Sequence, residues 1–523
     1  MMSGIGSSEL KITTRSAEAQ RYFNQGLRLL HCFWDFEAYR AFKEAVRLDP
    51  DATMAHWGMY QALQQNAGEM AAVRRAALER AVTLAPTASE VEQMYIRASA
   101  AAEKEGRAGY VREMEALVDR YPEQIEAQLF LARTLSAAPS SYDPEGRPRE
   151  GKVYGQMILQ NLLAKYPENA AVHHYWIHAV ENGPNPERAL ESAVKLPKLA
   201  PNSGHMVHMT GHIFYRTGDY ARAREAFLAS TRVDQAYMRA QKIAPVDNWN
   251  YVHNLDYLIG NCAEDGRYAE GLRWADELAK IAVDASRRMS SGLGYLIYGG
   301  YSARARLHIR YGKWREAAED LARTLAAHAD LSTLVRGYLQ GLRHYAQGMA
   351  ALRAEQNDDA EKSLTELTAL NASLAAERPQ FGSDWYSAHG KRVLEVAAMD
   401  LRGSLLGKQG KHEEAIALLK QAAQKEKELG YWEPPHYARP VLGSLAEAQI
   451  AAGDFTSARQ SYEQELKLRP RNGHALLGLA RTFAREGKDA EARAAYANFA
   501  QAWSGADAAL DGVQEAQRAA PRK

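Results

Sequence analysis

The sequence predicts an all-α fold, a right-handed α-solenoid of helix–turn–helix repeats. One observation is that small and aromatic residues recur with a period of 34 residues, as between Ala458 and Ala492. A second is that no segment has the alternation of apolar and polar residues that is typical of a strand. The length of 523 residues suits this fold, because a solenoid grows by stacking repeats and does not need one central core.

The repeat is clearest near the C-terminus. Gly453 and Ala458 fall at positions 15 and 20 of one unit, and Gly487 and Ala492 hold the same positions in the next. Small residues at positions 8 and 20 let the two helices of a unit approach closely, and aromatic residues at positions 11 and 24 fill the space between them. We expect the glycine near position 15 to lie in the turn, where a positive φ is often needed. This pattern resembles the tetratricopeptide repeat (TPR), a helix–turn–helix unit of about 34 residues, and we count at least eight units.

Longer stretches resemble a group of bacterial TPR proteins that carry the motifs HxxxHxxE and GHxxHMxxHI. The resemblance implies the fold and these motifs, and it implies no activity. In the group, the end of the second motif usually has the form H-M-P-[SA]-H-I. Here Thr210 and Gly211 replace the proline and the small residue, and His208 and His212 stay in place. The matching stretches are GLRLLHCFW, LDPDATMAHWGMYQAL, HHYWIHAVE, GHMVHMTGHIFYRTGDY, YVHNLDYL, YWEPPHYARPVLGSL and LRPRNGHALLGLA.

The register of the repeats predicts three parts of the chain. Residues 1–350 form an N-terminal solenoid that carries the candidate site, with the core of that site at 171–257. Residues 351–390 form an irregular helical connector, because the helical pattern is out of register there. Residues 391–523 form the C-terminal repeats.

Composition excludes several classes of partner. Lys+Arg number 65 and Asp+Glu 64, so the chain lacks the positive charge that nucleic acid or an anionic membrane attracts. No apolar run reaches the roughly 18 residues of a membrane span. The N-terminus lacks the apolar segment of a signal peptide, so we expect a cytoplasmic protein, or a periplasmic one if a signal peptide was removed.

Cys32 and Cys262 flank no motif, and we expect two buried, reduced thiols.

The histidines are concentrated in one region. Seven of the sixteen fall between His173 and His253, and two pairs are spaced four residues apart. Residues four apart share one face of a helix, so two imidazoles can reach the same ion. In the repeat frame, the first helices of three successive units place eight metal-competent side chains on the inner face of the solenoid: His174, His178, Glu181, His205, His208, His212, His253 and Asp256.

These residue types predict a transition-metal site. Imidazole suits Zn, Cu, Fe and Ni, and no thiolate stands nearby to form a zinc finger or an iron–sulfur cluster. The donors exceed what one tetrahedral ion needs, which favours either a dinuclear site or donors that orient the ligands. The predicted metal ligands are His174, His178, His208, His212, His253 and His205. Glu181 and Asp256 are predicted to complete the shell or to act as a general base. The residues predicted to shape a substrate cavity are Tyr175, Trp176, Tyr215 and Tyr251.

Two classes of function remain open from the sequence. The favoured one is a metal-dependent enzyme acting on a small-molecule or peptide substrate in the groove, with Cu or Fe oxidoreductase chemistry ahead of hydrolysis and Zn as a further option. The alternative is a non-catalytic scaffold that binds a peptide or protein partner, or a metal carrier or sensor. For His31 and His56, which lie in the first two units, we expect core packing.

Overall fold

The computed structural model describes residues 1–64, 69–136, 141–281, 296–378, 385–435 and 437–519. In these ranges the chain forms 24 α-helices and no strand, apart from one isolated bridge between Tyr142 and Pro148. The prediction of an all-α fold is therefore confirmed. None of the described helices is both long and apolar enough to cross a membrane.

The chain divides into two compact units. The first contains residues 1–214 and 228–237, and the second contains residues 215–227 and 238–523. The helices assigned here to the first unit are α1 (Ala17–His31), α2 (Asp35–Leu48), α3 (Thr53–Ala62), α4 (Glu69–Leu84), α5 (Glu90–Arg120), α6 (Ile125–Ser136), α7 (Lys152–Lys165), α8 (Ala170–Val180), α9 (Leu190–Leu199) and α10 (Gly204–Arg216).

The next helix along the chain, α11 (Tyr220–Gln241), contributes its middle residues, 228–237, to the first unit and its ends to the second. Within each unit, consecutive helices pack against each other, as in an α-solenoid. The remaining helices belong to the second unit and are α12 (Trp249–Asp265), α13 (Tyr268–Ala279), α14 (Tyr301–Arg310), α15 (Trp314–Ala327), α16 (Thr333–Arg353), α17 (Asn357–Ala375), α18 (Trp385–Lys408), α19 (His412–Glu428), α20 (Val441–Ala451), α21 (Phe455–Leu468), α22 (Gly473–Arg485), α23 (Asp489–Ala502) and α24 (Asp511–Ala519).

The predicted connector at 351–390 contains a regular helix. That helix, α17, packs between α16 and α18, and its apolar residues join a core that runs from Ala305 to Ala448. Part of the predicted connector, residues 379–384, lies outside the described residues. The predicted boundaries followed the register of the repeats, whereas the division into units follows packing and falls between residues 214 and 238.

Close packing within and between repeats follows the predicted pattern of small and aromatic residues. A Cβ atom placed on Gly26 would lie 2.6 Å from the ring of Phe42, and one placed on Gly58 would lie 2.4 Å from the same ring. In the second unit, a Cβ on Gly478 would lie 2.3 Å from Tyr462. Real Cβ atoms do not approach so closely, so these glycines are what lets the helices meet.

The turns also follow the prediction. The glycine near position 15 lies where one helix ends and the next begins, and its φ is positive, a conformation that residues with a Cβ rarely adopt. Six turn glycines have φ between 67° and 83°: Gly218, Gly266, Gly312, Gly410, Gly453 and Gly487.

Two helices of the first unit carry most of the predicted metal ligands, and local sequence explains where both begin. The side chain of Asn169 caps α8 by accepting a hydrogen bond from the Val172 amide. The first residue of α10 is Gly204, where a Cβ atom would lie 2.1 Å from a carboxylate oxygen of Asp234. Glycine at this position therefore allows the middle of α11 to pack against the start of α10.

Candidate metal centre

Six of the eight predicted metal-competent residues lie on α8 and α10 of the first unit. The end of α8 supplies His174 and His178, followed by Glu181 as the C-cap residue. Helix α10 supplies the other three of these residues, His205, His208 and His212. Except for His178, whose side chain is 12% exposed, all of them are buried.

The imidazoles of His174 and His178 face each other nitrogen to nitrogen, with their Nε2 atoms 3.1 Å apart. The other nitrogen of each ring has an acceptor for a partner. Nδ1 of His174 lies 2.6 Å from the carbonyl oxygen of His31, and Nδ1 of His178 lies 2.5 Å from Oε1 of Glu181. A carbonyl or a carboxylate can only accept, so both Nδ1 atoms carry the proton and, in the neutral rings, both Nε2 atoms carry a lone pair.

Two lone pairs that point at each other repel unless a cation lies between them. A transition-metal ion binds imidazole nitrogen at about 2.0–2.1 Å. Two such nitrogens on one ion, at tetrahedral or octahedral angles, lie roughly 2.8–3.4 Å apart. The separation of 3.1 Å between the Nε2 atoms of His174 and His178 matches this value.

His205 supplies a third imidazole to this pair. One ligand atom each from His174, His178 and His205 can be chosen so that all three lie within 4.8 Å of one another. The ring of His205 meets that of His174 edge-on at 5.0 Å and stacks on that of His178 at 5.9 Å between centroids. Three neutral imidazoles from two helices are a common donor set for transition metals, and they leave a coordination position open.

The second predicted pair, on α10, has the same form. The Nε2 atoms of His208 and His212 lie 2.7 Å apart. Nδ1 of His212 lies 2.6 Å from Oε2 of Glu181, which places a lone pair on Nε2 of His212 in the neutral ring. One carboxylate, that of Glu181, therefore orients one imidazole in each pair.

Glu181 lies behind the imidazoles and holds them. Burial raises its pKa, but the neighbouring imidazoles of His178 and His212 outweigh that effect and hold the pKa well below its usual range. Both carboxylate oxygens accept a hydrogen bond from an imidazole. This position suits a residue that fixes the tautomer and direction of the metal ligands, in place of the metal ligand or general base that we predicted for Glu181 from the sequence.

Burial favours the neutral, metal-binding form of two of the imidazoles, those of His174 and His212. Desolvation by burial lowers the pKa of His174 well below its usual value, and the nearby His178 and His205 lower it further. Desolvation also lowers the pKa of His212, although Glu181 opposes the effect. A neutral imidazole offers a lone pair, whereas an imidazolium does not.

Phe33 packs against this cluster. Its ring lies 4.6 Å from that of His174, 5.3 Å from that of His178 and 5.4 Å from that of His205, and it stacks on the last two. Its φ of 53° is rare for a bulky residue and costs on the order of 1–3 kcal/mol. The guanidinium of Arg133 lies over the same ring, 4.7 Å from its centroid.

His31, Glu126 and Phe33 were missed as parts of the site from the sequence alone. His31 is buried, as expected, and in addition its backbone carbonyl accepts a hydrogen bond from His174 and its side chain binds Glu126 and Tyr175. The signal that was available is the stretch GLRLLHCFW, which contains both His31 and Phe33. His56, the other histidine expected to pack, binds the carbonyl of Pro50 through Nε2.

The remaining predicted ligands, His253 and Asp256, lie on α12 of the second unit. His253 packs edge-on against Tyr257, and its Nε2 lies 3.9 Å from a carboxylate oxygen of Glu433. Oδ1 of Asp256 accepts a hydrogen bond from Arg306 at 2.5 Å, and both side chains are buried. We therefore revise the role of Asp256 from a general base to one partner of a buried ion pair.

The four aromatic residues predicted to shape a substrate cavity have protein partners. The Tyr175 hydroxyl lies 2.8 Å from Nδ1 of His31, and the Trp176 indole donates to the carbonyl of Arg188. In the second unit, Tyr215 and Tyr251 are both 8% exposed. These contacts favour a packing role for Trp176 and place the Tyr175 hydroxyl in a hydrogen-bonded chain with His31.

The two cysteines do not add thiolate ligands. Both are free and buried, as expected. Burial raises the pKa of Cys32 to about 12, and burial also raises that of Cys262. A thiol must lose its proton to bind a metal strongly. The candidate metal donors on α8 and α10 are therefore the imidazole nitrogen atoms.

Comparison with known proteins identifies the repeats. Models of the tetratricopeptide repeat match residues 396–424 and 444–507, both in the second unit. TPR repeats are therefore present in this chain. A comparison with curated proteins found no match.

Solved structures of other proteins are similar over most of the chain at low identity. Yeast Tom70 is 13% identical, with 96% of this chain and 95% of that chain covered and a TM-score of 0.32. The human IFIT1 dimer with m7Gppp-AAAA is 15% identical, with coverage of 80% and 91% and a TM-score of 0.32. Naa15/Naa10 bound to HypK-THB is 13% identical, with coverage of 96% and 90% and a TM-score of 0.26.

Proposed function

We propose that the imidazoles of α8 and α10 bind a transition-metal ion and that the protein is a metal-dependent enzyme, with oxidoreductase chemistry on Cu or Fe favoured over hydrolysis. The observation that carries this proposal is the pair of Nε2 lone pairs on His174 and His178, which face each other at 3.1 Å. Their direction is fixed by acceptors on the far side of each ring. A cation between them removes the repulsion and uses both lone pairs.

The donor chemistry narrows the choice of ion. The candidate ligands are imidazoles, and the one carboxylate among them, Glu181, is engaged by the Nδ1 atoms of His178 and His212. Hard ions such as Mg²⁺ and Ca²⁺ prefer oxygen ligands, so they fit poorly. Imidazole suits Cu, Fe and Zn, and a ligand set with little negative charge favours copper over iron. With Cu or Fe, three imidazoles and an open position would supply oxidation chemistry.

The second pair, His208 and His212, allows a second ion. The pair repeats the four-residue sequence spacing and the link to Glu181 of the first pair, although its Nε2 atoms lie closer together, at 2.7 Å, and would move apart on binding an ion. The number of ions bound per chain is the direct measure of this part of the proposal.

The test is metal reconstitution of the whole chain with Cu²⁺, Fe²⁺ or Zn²⁺ in separate samples, followed by elemental analysis and optical spectra. The variant H178A/H212A removes one imidazole from each pair and both partners of Glu181, and we expect it to abolish stoichiometric uptake. Its matched control is H173A. His173 lies on the same helix, but its nitrogens bind Ser192 and the carbonyl of Pro167 at 2.8 Å each.

The outcomes separate the candidate functions. Stoichiometric copper or iron, with reductant-dependent consumption of dioxygen, supports an oxidoreductase. Bound metal without any turnover supports a metal carrier or sensor instead. If the wild type binds no ion, or if H173A loses as much metal as H178A/H212A, the metal centre is wrong.

A partner-binding scaffold is the second candidate, and a cavity in the second unit favours it. The cavity holds about 1100 Å³, and its walls come from helices between α14 and α24. Side chains such as Arg485, Lys408 and Tyr462 line it, so it offers both charged and aromatic contacts. A scaffold of this kind needs no metal, and its partner binding would survive in H178A/H212A.

A further inference from the structure

A chain of three buried polar side chains lies beside the imidazole cluster in the first unit. The hydroxyl of Tyr175 lies 2.8 Å from Nδ1 of His31, and Nε2 of His31 lies 2.5 Å from Oε2 of Glu126. Tyr175 is fully buried, and His31 and Glu126 are each 1% exposed. The chain belongs to neither metal pair, although Tyr175 follows His174 directly in the sequence.

The partners determine which way the protons lie. A carboxylate can only accept, so Nε2 of His31 donates its proton to Glu126. Nδ1 of the neutral ring then carries a lone pair, and the hydroxyl of Tyr175 donates to it. The phenol therefore faces a base, and a carboxylate behind that base stabilises the imidazolium that forms when the base takes a proton, as in a catalytic triad.

We propose that Tyr175 is a redox-active tyrosine that loses one electron and passes its phenolic proton to His31. The O–H bond of Tyr175 breaks, the proton forms an N–H bond at Nδ1 of His31, and the electron reduces a one-electron oxidant. The products are a neutral tyrosyl radical, an imidazolium on His31 and the reduced oxidant. No other reactant is needed.

Glu126 is placed to stabilise this imidazolium. Its Oε2 binds His31, and its Oε1 has no hydrogen-bond partner among the described residues. A similar chain in the second unit, Tyr268–His308–Asp320, differs in this respect, because Arg304 and Arg323 also bind Asp320. The carboxylate of Glu126 shares its charge with His31 more fully than Asp320 can with His308.

Burial gives the radical a long lifetime, and aromatic rings connect it to the imidazoles. Tyrosyl radicals at the surface meet each other and couple, whereas a fully buried ring does not. The ring of Phe33 stacks on Tyr175 at 6.0 Å and on His178 at 5.3 Å between centroids. If the metal centre exists, its ion in the higher oxidation state is the oxidant, and that part of the inference rests on the proposed function.

The test uses the metal-free full chain, so its outcome does not depend on metal binding. The protein is treated with hexachloroiridate(IV), an outer-sphere one-electron oxidant, and is frozen for electron paramagnetic resonance after radicals on exposed tyrosines have decayed. We expect a persistent tyrosyl signal from the wild type. The variant Y175F should lose most of that signal.

Two further variants make the test specific. Tyr95 is 1% exposed in the same unit, and its hydroxyl has no hydrogen-bond partner among the described residues, so Y95F should keep the signal. E126Q keeps the shape of Glu126, but its amide lacks the charge that stabilises the imidazolium, so the signal should fall. Circular dichroism confirms that each variant is folded. No persistent signal in the wild type, or an unchanged signal in folded Y175F, overturns the proposal, and an unchanged signal in folded E126Q overturns the role given to Glu126.

Discussion

Buried ion pairs in the second unit and a buried imidazole pair in the first unit have opposite kinds of partners. In the second unit, buried charges meet charges of opposite sign: Arg310 lies 2.9 Å from Glu264, and Arg306 lies 2.5 Å from Asp256. In the first unit, His174 and His178 meet lone pair to lone pair. These two carboxylates of the second unit therefore have a cationic partner within the protein, whereas we propose that a bound cation is the partner of the imidazole pair in the first unit.

The largest effect on stability is expected from removing one partner of a buried ion pair in the second unit. Arg310 is 8% exposed and also lies 3.6 Å from Glu465, so R310M leaves two buried carboxylates without this cation. Removing one partner from a buried ion pair costs about 3–5 kcal/mol. Urea unfolding of R310M should show a loss of this size. R112M is the control, because Arg112 pairs with Glu105 at the surface, and its unfolding midpoint should barely move.

The next largest effect on stability is expected from binding a metal ion at the imidazoles of the first unit. An ion that binds only the folded chain stabilises it by about 2.7 kcal/mol when its free concentration is 100 times Kd. Metal should therefore raise the thermal midpoint of the wild type and of H173A, and it should leave that of H178A/H212A unchanged. An equal rise in all three proteins would mean that the ion binds elsewhere.

A smaller effect is expected at Glu181. In E181Q the single amide oxygen accepts from only one imidazole, and the amide nitrogen must donate to the other. That second imidazole then carries its proton on Nε2 and cannot bind the ion through that atom. We expect E181Q to lose one of the two ions, if two are bound, or 10–100-fold in metal affinity, if one is bound. Isothermal titration of apo-protein measures both, and unchanged binding would contradict the role given to Glu181.

The last effect, which is small for each pH unit, concerns a buried cation in the first unit. Nζ of Lys152 donates to the carbonyl oxygen of Ser136 and, at 3.3 Å, to Oδ1 of Asn182. Neither partner is charged, and burial lowers the pKa of Lys152 to about 7, although the charge of Glu181 opposes the shift. Arg306 and Arg310 of the second unit differ: burial again lowers the pKa, but their carboxylate partners outweigh burial and the pKa of each is raised.

The sign of the pH dependence follows from these values. Between about pH 7 and pH 10.5 the unfolded chain keeps the proton on Lys152 and the folded chain releases it. Stability therefore rises with pH in that window, by up to about 1.4 kcal/mol per pH unit from this residue. The difference in unfolding free energy between wild type and K152M should show this slope and should flatten below pH 7. A difference that does not vary with pH would contradict the shift.

The sequence predicted those parts of the site that depend on local spacing. His174 with His178, and His208 with His212, meet because residues four apart share a helix face. The turn glycines and the fit of Gly26 against Phe42 follow from the repeat pattern in the same way.

The sequence could not predict contacts between distant residues. His31 is 143 residues from His174, and nothing in the spacing of the histidines points to its carbonyl. The role of Glu181 was also missed, because it depends on how α8 and α10 pack together. Asp256 shared the pattern of a ligand, but Arg306, 50 residues further on, takes its carboxylate.

The end of α8 has a consequence for which insertions the protein can tolerate. Glu181 is the C-cap of that helix, three residues beyond His178, and its backbone amide still bonds to the carbonyl of Ile177. Each residue of a helix turns the chain by about 100°. One extra residue between His178 and Glu181 would swing the carboxylate around the axis, so both pairs would lose their shared anchor. Length variation among relatives that keep the site should therefore fall after Glu181 and not before it.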